Sequence, residues 1–258
     1  MLIPGRVFSF LSLLVLAGVI FGEMWRAKRG FRHEIRKIPA LEGLEEGIGR
    51  ATEMGRPIHF SAGVTALTTA RAPDILASLE YLSYVASRCA SMGTKLIATV
   101  AQGDTYAATE EVVRSAYLRQ GAADKLPADA VRFLGSEQYV YASGITGILT
   151  KEKVATNIMI GRWADETLFV SEAGHMAGCF QIGGTNNPYQ IPFFVVICNY
   201  VLLGDELFAG SAYLSQDPME LGAVAGQDFG KAVAAVLIVI GSVLAALNIP
   251  FLANLLKG

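Results

Sequence analysis

Apolar residues gather first in an unbroken block, Val7 to Gly22, with no charged side chain inside it. A second block runs from Ala232 to Leu256, between Lys231 and Lys257. Uncharged runs of this length suit the roughly 30 Å hydrocarbon core of a bilayer. The first is slightly short, but Met1 to Pro4 and Met24-Trp25 extend it, and Arg6 can snorkel to the interface. Two transmembrane helices are therefore predicted, over residues 1–25 and 232–258. A cleaved signal peptide competes for the first block, but it needs a small-residue cleavage site and a secreted domain behind it. Glu23-Met24-Trp25 and a basic cluster follow instead. A buried helix of a soluble domain competes for the second. Asn248 and Pro250 predict a kink or helix end there.

Between the blocks, short apolar runs alternate with helical stretches. Ile38 to Met54 reads as a helix stopped by Gly55-Arg56-Pro57, and Pro57 to Phe60 as a strand that turns at Ser61-Ala62-Gly63. Pro73-Asp74 opens a long helix that Gly93 ends. Lys95 to Val100 is a compact buried strand, and Tyr106 to Gln120 a helix. Val131 to Leu134, Ala155 to Gly161, Cys179 to Ile182 and Ile191 to Cys198 read as further strands. Helices are predicted from Glu137, capped by Ser136, from Asp165, and over Val201 to Leu214. Continuous apolar strands alternating with helices imply an α/β fold: a doubly wound, mainly parallel, Rossmann-like sheet between the two spans. The boundaries are a basic segment and helix over 26–54, the α/β domain over 55–217 and a Gly-rich linker over 218–231. A short echo, Asp165-Glu166-Thr167-Leu168-Phe169 against Asp205-Glu206-Leu207-Phe208, is compatible with an old βα duplication.

Charge orients this arrangement. Arg26, Lys28, Arg29, Arg32, Arg36 and Lys37 all follow the first block, which places the domain in the cytoplasm and both termini outside the plasma (inner) membrane. The same cluster can touch anionic lipid headgroups. Charged residues make up 17% of the chain, below the quarter usual in soluble domains, and the net charge of −2 excludes a general nucleic-acid binder. Cys89, Cys179 and Cys198 are too widely spaced for a disulfide framework or a CxxC zinc site. Gly18 with Gly22, Gly241 with Ala245, and Ser242 with Ala246 have the spacing of close helix packing, within one chain or between chains.

Several stretches, among them IRKIPALEGLEEGIGRATEMGRP, VRFLGSEQYVYASG, QIGGTNNPYQIPFFVVICNY and GDELFAGSAYLS, resemble a family of uncharacterised prokaryotic membrane proteins with a domain of unknown function. The resemblance implies a membrane anchor and supports the domain limits. It carries no activity, cofactor or catalytic residue.

Ligands of parallel α/β sheets bind at the C-terminal strand edge. That edge is expected to hold Ser61, Gly63, Gln102-Gly103-Asp104, Arg162-Trp163, Gly183, Gly184, Thr185 and Asn199. Gly-rich turns there expose backbone N–H groups to an anion, although none forms GxGxxG or a Walker loop, and ordinary tight turns are the plainer reading. Glu172, Asp205 and Glu206 sit in apolar sequence, which suggests buried carboxylates with partners such as Arg162 or His175. They suit either structural posts or general acid–base groups. Glu172, His175 and Cys179 fall at i, i+3 and i+7, but Gly174 and Gly178 weaken the helix a metal site would need, and no metal is assigned. The expectation is a membrane-tethered scaffold or binding domain, homo-oligomeric and in contact with lipid. The alternative is a membrane-bound enzyme or sensor that takes a small anionic molecule at the strand-end turns. The cofactor, if any, is unknown.

Overall fold

A computed structural model describes residues 7–31 and 38–247. Arg6, Arg32, His33, Arg36, Lys37, Asn248, Pro250 and Lys257, and the side chain of Ala245, lie outside the described residues. The chain divides into two compact units, residues 1–36 with 216–258, and residues 37–215.

The first unit contains helices α1 (Val7–Lys28) and α9 (Pro218–Ala246), both long and apolar enough to cross a membrane. Twenty-two residues at about 1.5 Å each reach across a hydrocarbon core. The segment 218–231, read as a linker, is helical and continuous with the apolar run. Asp217 accounts for its start: its Oδ1 accepts the Met219 N–H at 2.6 Å just before Pro218 sets the first turn. The glycines of that segment pack rather than flex. An added Cβ at Gly222 would lie 2.7 Å from Met24 Cα, and one at Gly226 2.8 Å from Ile20 Cα; Gly230 faces Leu16. The pairing is antiparallel and uses Gly222, Gly226 and Gly230. Gly18 and Gly22, the spacing noticed in the sequence, face open space.

The second unit begins with α2 (Pro39–Met54), β1 (Ile58–Gly63), α3 (Ala72–Met92), β2 (Leu96–Val100), α4 (Gly103–Arg119) and β3 (Val131–Phe133). It continues with α5 (Gln138–Lys151), β4 (Thr156–Arg162), α6 (Glu166–Met176), β5 (Phe180–Thr185), α7 (Ile191–Ile197), β6 (Tyr200–Leu203) and α8 (Glu206–Ser215). Among the described residues six strands form one parallel sheet in the order β3-β2-β1-β4-β5-β6. Helices α2, α3, α4 and α8 cover one face and α5, α6 and α7 the other. Two-sided cover explains why β1, β2 and β5 are buried at every position; β2 reads as an unbroken run of apolar and small residues, whereas β1 and β5 bury His59 and Gln181 among theirs.

Three local readings change. Ile191–Ile197, the most strand-like stretch by composition, is the helix α7, and the next strand starts at Tyr200. Pro192 fixes a helical φ in the first turn, and only Phe194 of the segment is fully buried, against the sheet. Ser61–Gly63 and Gly183–Thr185 continue β1 and β5 instead of turning. Glu137, not Ser136, caps α5 by accepting the Val140 N–H at 2.8 Å.

Candidate functional site at the β1/β4 crevice

Chain order reverses between β1 and β4: β2 and β3 lie to one side, β5 and β6 to the other. At such a switch point the connections leave in opposite directions and open a crevice beyond the strand ends. Here the two ends are also locked together. Gly63 (φ +87°) and Gly161 (φ +143°) hold backbone that L-side chains rarely adopt. A Cβ on Gly63 would overlap the Arg162 carbonyl, and one on Gly161 the Ala62 carbonyl. The register shifts at this point, so a bulge redirects the end of β4 and the Arg162 side chain it carries.

Arg162 Nη1 donates to Asn186 Oδ1 at 3.3 Å, and Asn186 Nδ2 donates to Asp74 Oδ1 at 2.8 Å. This relay joins the end of β4, the loop after β5 and the first turn of α3. Asp74 is only 3% exposed, and its second oxygen, Oδ2, has no hydrogen-bond partner. Burial pushes its pKa up, against the pull of Arg162, Arg71 and the Asn186 hydrogen bond. Glu166, the first residue of α6, is wholly buried. Its carboxylate accepts the Ala164 N–H at 2.9 Å and the Gln138 side-chain N–H at 2.6 Å, and burial again raises its pKa. Trp163, which follows Arg162 in the chain, is buried with its indole N–H unpartnered.

A polar belt crosses the sheet under α5 and α6, at neighbouring register positions of four strands. Its hydrogen bonds run in one direction. Gln181 Nε2 donates to the Ser171 carbonyl at 2.8 Å, so Gln181 Oε1 accepts from Asn157 Nδ2 at 3.1 Å. Asn157 Oδ1 then accepts from His59 Nδ1 at 2.7 Å. His59 Nε2 is thereby left as an acceptor for the Thr99 hydroxyl at 2.9 Å. The Tyr141 hydroxyl completes the belt, 3.1 Å from Thr99 Oγ1 and 2.6 Å from Ser61 Oγ. Burial holds His59 neutral, with its pKa pushed down to about 4, although the Asn157 hydrogen bond opposes this.

The residues chosen from sequence fall into different places. Ser61 is buried in the belt, and Gly63 makes the bulge. Asp104 pins the loop after β1: Oδ2 accepts the Thr68 N–H at 3.2 Å and Oδ1 the Thr105 N–H at 2.7 Å. Gly183 lies under Phe194 and Gly184 under Leu202. Thr185 Oγ1 accepts the Asn187 N–H, and Asn199 Oδ1 the Gln181 N–H. Glu172 and Asp205 are exposed and Glu206 half-buried, so apolar neighbours in sequence did not mean burial. Glu172 occupies the outer face of α6. Cys179 lies beyond α6 with its Sγ toward the Val154 carbonyl, so it does not share a face with Glu172 and His175.

Asp74 and Glu166 are site residues that no sequence motif singles out. Each stands in the first turn of a helix that follows a strand of the switch point, and that placement was the available signal. The echo has a structural counterpart. Glu166 and Glu206 both open helices directly after strands and reach back to a backbone N–H, of Ala164 and Leu203 respectively.

No curated protein and no solved structure matches the chain. One family model matches residues 2–256, described as "Domain of unknown function (DUF6754)", and the chain belongs to that family.

Proposed function

We propose that the chain is a membrane-anchored binding domain that takes a small anionic ligand in the crevice between β1 and β4. The observation that carries this reading is the buried, unpartnered Asp74 Oδ2 in a relay with Arg162. Leaving a buried polar atom unpaired costs about 1–3 kcal/mol, so a site that keeps one there suits an incoming group. Arg162 supplies the cation for a carboxylate or phosphate. Asp74 Oδ2 accepts a hydrogen bond from a protonated oxygen of the ligand, such as a hydrogen phosphate carries, and an Asn side chain, with Oδ1 held by Asn186, offers no acceptor there. A dinucleotide pyrophosphate fits poorly, because the loop from Val64 to Arg71 has no glycine and is pinned by Asp104, Thr105 and Gln102. Arg26 and Lys28 in the last turn of α1, and Arg29 just after it, support a cytoplasmic domain at the plasma membrane.

The test is thermal unfolding of the full chain in mild detergent with inorganic phosphate, mononucleotides and dicarboxylates. A ligand at a hundred times its Kd should add about 2.7 kcal/mol of stability. That gain should vanish in Arg162→Gln and in Asp74→Asn. If no anion stabilises the chain, or both variants respond as the parent does, the reading fails.

A further inference from the structure

The sheet face covered by α5, α6 and α7 presents an unusual outer surface. From Met176 to Gly204 the chain carries no Asp, Glu, Lys or Arg. Within and beside that stretch Val196 is 83% exposed, Tyr189 82% and Met176 80%, with Val195 also open. Tyr139 of α5 and Phe169 of α6 are exposed as well, and meet edge to face with ring centroids 5.8 Å apart. Helix α6 packs against both α5 and α7, so these side chains border one surface. Together the six expose on the order of 800 Å², above the roughly 300–600 Å² of the largest apolar patch on a typical monomer. It is also about what one partner contributes to a standard protein interface.

We propose that this face is the contact between two copies of the chain, related by a two-fold axis. Area and composition favour a second copy. A homodimer interface is aromatic and aliphatic at its centre and depleted of charge. Anchoring in one bilayer raises the local concentration of copies and restricts their orientation, which lowers the cost of association. A lipid surface is the poorer occupant. Among the exposed charges on and beside α5 and α6 the carboxylates Glu137, Asp165 and Glu172, which anionic headgroups repel, outnumber Lys151 and Lys153. The inference is independent of the β1/β4 crevice, since none of the six residues belongs to that relay.

The test uses the full chain in nanodiscs holding one copy or two, followed by hydrogen exchange and by mass measurement in detergent. The expected result is a dimer, with α6 and α7 amides protected only in two-copy discs. Tyr189→Glu with Val196→Glu should weaken the dimer by about tenfold or more, because central apolar anchors carry most of an interface. Both positions are exposed, so the variant's unfolding temperature should match the parent's in one-copy discs, where dimerisation adds nothing. A parent that stays monomeric, a variant that stays dimeric, or protection already present in one-copy discs would overturn the proposal. The last result would assign the face to the bilayer instead.

Discussion

Two strand ends carry glycines, and they use them differently. At β1/β4, Gly63 and Gly161 each sit against the other strand's backbone, and the resulting bulge turns Arg162 toward Asn186 and Asp74. At β5, Gly183 and Gly184 have ordinary strand geometry and make room for Phe194 and Leu202. The first pair sets the polar relay at the switch point; the second lets a helix and a neighbouring strand close down. A glycine-rich strand end therefore says that something approaches closely, and only the neighbour tells whether that is packing or a site.

The largest effect is expected at Gly63. Gly63→Ala adds a Cβ at a positive φ and into the Arg162 backbone, so about 4 kcal/mol of stability should be lost in urea unfolding. No side-chain truncation can rescue it, because the obstacle is main chain. The buried belt beside it should show in pH. His59 binds its proton more weakly when folded, so its contribution is complete above about pH 6.5 and is lost as pH falls toward 4. The full loss is about 3 kcal/mol, and His59→Gln should flatten that part of the stability–pH curve. Gly183→Ala meets a side chain, so about 2 kcal/mol is expected, and Phe194→Leu in the same chain should recover much of it. If Phe194→Leu recovers nothing, the glycine at β5 is not there for packing. Glu172→Gln, on the exposed face of α6, should change stability by less than about 0.5 kcal/mol.

The parallel sheet was legible because strands covered on both faces leave unbroken runs such as Leu96–Val100. The two helices apolar enough to cross a membrane were legible because charge is absent from Val7 to Gly22 and from Ala232 to Leu247. Ile191–Ile197 misled because β-branched and aromatic residues report a preference that Pro192 and the sheet beneath Phe194 override. The glycines of 218–231 misled because a flexible linker and a close helix contact use the same residue. The site was less legible than the fold. Glu172 and Asp205 stand in apolar sequence yet face outward, while Asp74, which opens a helix, and Glu166, which the sequence shows only in a short echo, are buried. Burial depends on which face of a helix meets the sheet, and the relay through Asn186 joins residues more than a hundred positions apart. Neither is written in a local window.

The most direct measurement is the stability of the full chain, parent against Asp74→Asn, with and without the anions that stabilise the parent. Asn keeps the acceptor for Asn186 and removes a carboxyl that burial disfavours in its charged form, so the ligand-free variant should be more stable than the parent near neutral pH. It should also lose the ligand-induced gain. More stability with less binding would mark Asp74 as a strained site residue of the β1/β4 crevice. A variant that is less stable and still responds to the ligand would make Asp74 a structural post and contradict the account.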